Sequence, residues 1–140
     1  MKSDKKIRES GCPLAYGLDL FGDRWSLLII REILFKNKMT YSDFAGIDEG
    51  IATNILAERL KRLETEGIIH KSRDPENGRR FIYELTDKGR DLAPVLIEII
   101  LWSGKYDHRP MALKGTPAEI TKDRRAFERK IGIRTRRARN

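Results

Sequence analysis

Cysteine and histidine are scarce. Cys12 is the one cysteine among 140 residues, and the two histidines, His70 and His108, have no ligand-type spacing. That excludes an internal disulfide framework and a cysteine-cluster zinc site, so no metal and no cofactor is expected. Paired catalytic carboxylates, a phosphate-cradling glycine loop and a Cys/His site with a third member are all missing, which argues against an enzyme. Apolar runs fall short of the roughly 20 residues of a membrane span, so no membrane partner is expected. The opening Met1-Lys2-Ser3-Asp4-Lys5-Lys6 leads into no apolar signal core, and a reducing cytoplasm is the expected location.

With 39% hydrophobic and 36% charged residues, the composition suits a globular chain of one-domain size with an ionised surface. The net charge is +8, unevenly spread: residues 124–140 hold eight of the 29 basic and one of the 21 acidic residues. That segment therefore carries +7 and the other 123 residues +1. The high isoelectric point invites a nucleic-acid reading, but outside that segment charge alone does not support it, and architecture has to decide.

Residues 1–11 read as a flexible start. Pro13 suits a first helical turn, and Leu14, Ala15, Leu18 and Phe21 follow at near-helical spacing until Gly22. Asp23 caps a second helix over Arg24 to Phe35, mostly buried. Lys36-Asn37-Lys38 reads as a turn. Thr40-Tyr41-Ser42-Asp43 is a capping box opening a short helix near 41–46. A third helix runs from Ala52 to Glu66, stopped by Gly67, with Ile55, Leu56, Leu60 and Leu63 on one side and Asn54, Ala57, Glu58 and Lys61 on the other.

The period then changes. Ile68 to Ser72 and Arg80 to Leu85 read as two strands, with Asn77-Gly78 as the hairpin turn between them. Thr86 caps a long helix to Tyr106, with a kink expected at Pro94. The fold class is mainly α with a small β-hairpin (α+β): a winged helix-turn-helix with a long C-terminal dimerisation helix. Residues 12–108 form its DNA-binding and dimerisation domain. Residues 109–140 form a basic extension with a second capping box at Thr116-Pro117-Ala118-Glu119, a thin apolar stripe of Ile120, Phe127 and Ile131, and a disordered run from Arg134 to Arg139.

In such a fold the second helix of the motif enters the major groove by its N-terminal residues. Thr53, Asn54 and Ala57 are the base-edge candidates, because Asn pairs bidentately with adenine and Thr or Ala methyls meet the thymine methyl. Arg59, Lys61 and Arg62 follow as further DNA contacts, phosphate above all. Thr40, Tyr41 and Ser42 offer hydroxyls and helix N-terminal amides to a phosphate. Arg73, Asn77, Arg79 and Arg80 form the wing. Between Leu92 and Trp102 nine of eleven residues are apolar, so that helix needs a second surface to cover it. Leu96, Ile99, Ile100 and Trp102, with Leu14 and Leu18, are the candidate dimer interface. Cys12, at a helix start, is the candidate sensor thiol.

Several motifs occur in order. Cys12-Pro13-Leu14 is followed by Leu18 to Leu34, including Phe21-Gly22-Asp23-Arg24-Trp25-Ser26. Tyr41 to Phe44, Leu56 to Gly67 and Tyr83 to Arg90 come next. Over residues 12–104 the chain resembles the HxlR-type regulators of the MarR-related group. The resemblance implies a winged helix-turn-helix transcription factor that binds a double-stranded palindromic operator as a homodimer, with a cysteine matching Cys12 that senses oxidants or electrophiles in some members. The operator and the effector, small-molecule or redox, do not carry over. Two departures stand out: Ala52-Thr53 replaces the family's Ser-Pro at the reading helix, and the chain continues past Gly104, where the family pattern stops. The alternative is a winged-helix assembly module whose basic tail binds nucleic acid nonspecifically.

Overall fold

A computed structural model describes residues 10–132. The chain divides into two compact units, Met1–Thr86 and Asp87–Asn140. The boundary between these units, after Thr86, falls inside the 12–108 span expected to bind DNA and dimerise, and the long helix lies in the second unit.

In the first unit, helix α1 (Pro13–Phe21) has Cys12 at its N-cap and proline in its first turn. Helix α2 (Ser26–Lys36) starts two residues after the expected Arg24. The Asp23 carboxylate explains the delay, accepting from the backbone N–H of Trp25 and Ser26, both at 3.0 Å, and from the Ser26 hydroxyl at 2.5 Å. Asn37 ends α2 in the left-handed region (φ 76°), a conformation Asn tolerates better than most residues.

Strand β1 (Met39–Thr40) and helix α3 (Tyr41–Ala45) follow. The expected capping box is formed: Asp43 N–H donates to Thr40 Oγ1 at 3.2 Å and Thr40 N–H to Asp43 Oδ2 at 2.8 Å. Helix α4 (Thr53–Thr65) buries Leu56, Leu60 and Leu63. Gly67 follows its end at φ +75°, where an added Cβ would meet nothing, so the glycine serves backbone conformation alone.

Strands β2 (Ile69–Asp74) and β3 (Asn77–Leu85) pair antiparallel, and β1 adds to the far side of β3, giving the order β1-β3-β2. The two-residue β1, paired as Met39↔Tyr83 and Thr40↔Ile82, is too short to show an alternating pattern and was not foreseen. The hairpin turn also differs from expectation. It lies at Pro75-Glu76, while Asn77 already pairs with Asp74. Neither Asn77 nor Gly78 has positive φ, so the mirror-image turn that favours Asn-Gly is not used. Asp74 and Pro75 are instead the residues preferred at the first two positions of an ordinary tight turn, and Asp74 accepts from Glu76 N–H at 2.9 Å. The register shifts between Arg73 and Asp74, leaving residues 78–80 as a bulge in β3. Phe44, Ile29, Ile30, Ile33, Leu56 and Ile68 are fully buried, and Phe44 meets Tyr83 edge to face at 5.9 Å.

The second unit holds α5 (Asp87–Arg90), α6 (Ala93–Tyr106), α7 (Gly115–Lys122) and α8 (Arg124–Lys130). Pro94 does not kink a continuous helix: the chain breaks after Arg90 and Pro94 sits in the first turn of α6, where its missing N–H has no intrahelical acceptor to lose. The capping box expected at Thr116 is not formed, because α7 begins at Gly115 with no side-chain cap. Helix α7 packs on α6 and α8 on α7. Gly104 admits this packing, since a Cβ there would lie 2.5 Å from Cβ of Pro117. The stripe of Ile120, Phe127 and Ile131 is buried, so much of the expected extension is folded structure. The Arg134 to Arg139 run lies outside the described residues. Among those residues no helix is long and apolar enough to cross a membrane, and no group of three or more His, Cys, Asp or Glu is placed to hold a metal.

Candidate nucleic-acid interface

The connector between α3 and α4 is braced by Arg31, which grips the Glu49 carboxylate through both terminal nitrogens at 2.9 Å. The hydrogen bond from Arg31 holds Glu49 below the usual carboxylate range against the opposing effect of burial. At the start of α4 the Tyr41 hydroxyl donates to the Thr53 carbonyl at 3.1 Å. One of the three hydroxyls expected to face phosphate, that of Tyr41, is thus engaged within the protein, while Ser42 is exposed and Thr40 is committed to its cap.

On α4, Thr53, Asn54, Ala57 and Lys61 are all exposed over the buried leucine face. Ala52, in the extended conformation, stands at the N-cap and supplies no side-chain hydrogen bond to the first turn of α4. The two arginines behave differently from Lys61. Arg59 is half-buried and its Nε donates to Asp23 Oδ2 at 2.8 Å, while its NH1 pairs with Glu58. Arg62 is also half-buried and donates to the Asp19 carbonyl. Burial by itself would raise the pKa of Asp23, but the hydrogen bonds from Ser26, Arg59 and two backbone amides outweigh it and keep the carboxyl ionised below its ordinary range.

The wing sorts its arginines in the same way. Arg80 closes on the buried Asp74 carboxylate through Nε at 3.0 Å and NH2 at 2.7 Å. The Glu76 amide and then Arg80 hold Asp74 below the usual range. Arg73 donates to the Gly78 carbonyl and lies over the Phe81 ring at 4.9 Å. Asn77 Oδ1 accepts from the Arg79 backbone N–H at 3.2 Å, which stiffens the tip; the Arg79 side chain is exposed and forms no ion pair among the described residues. Sequence reasoning missed Lys71 on β2, whose Nζ lies 4.3 Å from the same Phe81 ring. Its signal was present: positions 71 and 73 share one face of a strand.

The candidate dimer residues are split. Leu14 (70%), Leu18 (54%), Ile99 (47%) and Trp102 (67%) are exposed and Ile100 is half-exposed, but Leu96 (7%) is buried in its own chain. Cys12 is exposed, with its N–H donating to Ser10 Oγ at 3.3 Å.

The HxlR-like helix-turn-helix family model matches residues 20–111. The chain is 41% identical over 86 residues to the HTH-type transcriptional regulator sll1512 of Synechocystis, covering 61% of this chain and 63% of that protein's length. It is 35% identical over 96 residues to the HTH-type transcriptional regulator YvaP of Bacillus subtilis, covering 68% and 88% of the two chains. Among solved structures, the reduced form of the transcriptional regulator YodB from B. subtilis is 31% identical with a TM-score of 0.58, over 71% of this chain and 97% of that one. The same protein is also known in diamide-treated and quinone-bound forms.

Proposed function

Because the chain belongs to the HxlR-like helix-turn-helix family of transcriptional regulators, we propose that it binds a palindromic operator as a homodimer and answers an oxidant or electrophile through Cys12. Thr53, Asn54 and Ala57 read base edges in the major groove, Lys61 meets a phosphate, and Ser42 offers a further phosphate contact at the start of α3. Arg79 leads the wing, with Arg73, Asn77, Arg80 and the newly found Lys71 shaping it. Leu14 and Leu18 on α1 and Ile99, Ile100 and Trp102 on α6 cover the equivalent residues of a second copy.

The observation that carries this reading is the exposed turn Thr53-Asn54-Ala57 on a helix whose opposite side is buried leucine. A chain with one cysteine has no internal resolving thiol. Oxidation would therefore join Cys12 to a thiol of another molecule, and an electrophile would add to its sulfur; the YodB states make both worth testing.

The experiment is selection of bound fragments from random duplex DNA. A two-fold symmetric consensus is expected. Enrichment without symmetry would remove the dimeric operator, and no enrichment would remove sequence reading altogether. The assembly alternative is tested by removing residues 133–140, which spares the buried Phe127 and Ile131; loss of all DNA affinity with that segment would favour it. For Cys12, oxidant is expected to shift operator affinity in the wild type and not in Cys12→Ser, and an equal response in both would exclude the thiol.

A further inference from the structure

Helix α4 meets the body through three buried leucines, whose non-directional contact fixes the face turned inward but sets its fine rotation only loosely. Something else has to fix its rotation about its axis, because a roll of a few tens of degrees would carry Asn54 away from a base edge. Directional contacts are present on one flank. Taking about 100° per residue, Arg62 and Arg59 lie roughly 80° and 140° round from Asn54 in the same sense. Arg59 reaches the Asp23 carboxylate at the corner between α1 and α2, 36 residues earlier in the chain. Arg62, one turn on, reaches the main-chain carbonyl of Asp19 at the end of α1. A third contact, from Tyr41 to the Thr53 carbonyl, holds the opening turn.

Asp23 is suited to be the fixed point. Its carboxylate already accepts from two amides and a hydroxyl at the start of α2, so it cannot swing toward solvent without uncapping that helix. Arg59 is thereby tied to a rigid group and not to a mobile surface acid. Its second partner, Glu58, places another carboxylate beside a side chain that would otherwise be offered to phosphate.

We propose that Arg59 and Arg62 are positioning residues: they set the azimuth of α4 through Asp23 and the Asp19 carbonyl and make no contact with DNA. This rests on the DNA-reading role of α4 proposed above, and it reassigns two arginines from the set expected to touch the duplex. A phosphate contact and a positioning contact leave different traces. Loss of a phosphate contact lowers affinity for every sequence and reduces the salt slope by about one. Loss of a positioning contact lowers affinity for the correct sequence alone.

The test measures binding of Arg59→Ala, Asp23→Asn and the double variant to the selected operator and to a scrambled duplex, each at several salt concentrations. Expected are a loss of about tenfold on the operator, no loss of scrambled affinity and no smaller salt slope, and a double variant no worse on the operator than either single. Asp23→Asn is decisive, since removing an acid strengthens attraction to phosphate unless geometry is lost. Arg59→Lys keeps the charge without the fork and should resemble Arg59→Ala. Amide exchange over Thr53–Thr65, measured without DNA, should quicken equally in Arg59→Ala and Asp23→Asn, which registers the tether even if either variant is partly destabilised. Equal losses on both duplexes with a smaller salt slope, or unaltered exchange in α4, would overturn the positioning role. A wild type that does not distinguish the duplexes would overturn the DNA reading itself, leaving the exchange result to decide the tether.

Discussion

Asn54 and Arg79 are both exposed and both polar, yet the chemistry facing them differs. An amide carries donor and acceptor in the pattern of an adenine edge; a guanidinium at a hairpin tip meets backbone charge. Asn54→Ala should lower discrimination at one base pair by about 1–3 kcal/mol, and Arg79→Ala should weaken all sequences alike. Competition binding against single-position operator variants separates them, and an equal loss for Asn54→Ala on cognate and scrambled DNA would exclude base reading. Asp23 makes a prediction about acid. Its folded pKa is depressed, so its contribution to stability is present above the ordinary carboxylate range and is lost as pH falls through the folded value. Denaturant midpoints measured between neutral pH and pH 2 should therefore fall less steeply for Asp23→Asn than for the wild type. Gly67→Ala should cost about 1–2 kcal/mol of conformational strain with no clash, because φ is +75° in open space; Gly67→Asn should cost less.

Helix α3 is five residues long, too short to persist on its own. It stands on its reciprocal cap at one end and on Phe44, fully buried, in its middle. Thr40→Ala should cost about 1 kcal/mol and Phe44→Ala about 3–5 kcal/mol in chemical denaturation, an ordering that would reverse if capping held the motif more than packing. The cap was legible from four consecutive residues because its hydrogen bonds are local. The hairpin was legible only in outline. Asn77-Gly78 is the strongest local turn signal, but the register of β3 against β2, and the buried Asp74 that receives both Glu76 N–H and Arg80, put the corner at Pro75-Glu76. A competing local signal lost to a pairing that it did not control.

Across the whole molecule, the exposed apolar residues on α1 and α6 are the ground for expecting a second copy. Ile99→Glu with Trp102→Glu should yield monomers in sedimentation and lower operator affinity, since each protomer then binds a half-site alone. Leu96, named beside them from sequence, has the opposite expectation: buried in its own chain, its change to Ala should cost about 2–5 kcal/mol of stability and leave association untouched. The apolar pattern of residues 92–102 announced a helix needing cover on more than one side, but spacing did not say which residues its own chain would cover.

The sequence by itself determined what rests on short-range chemistry. The leucine face of α4, its stop at Gly67, the Thr40 cap and the order of the first four helices and the two hairpin strands follow from side-chain period, backbone freedom and hydrogen bonds among near neighbours. Tertiary structure alone decided which charges are spent inside the protein. Arg59, Arg62 and Arg80 look like Lys61 and Arg79 when read along the chain; they differ because folding brings Asp23, the Asp19 carbonyl and Asp74 to the first three and leaves the other two to solvent. Pairing of remote charges depends on how elements pack, and packing is not a local property of any of the residues that pair.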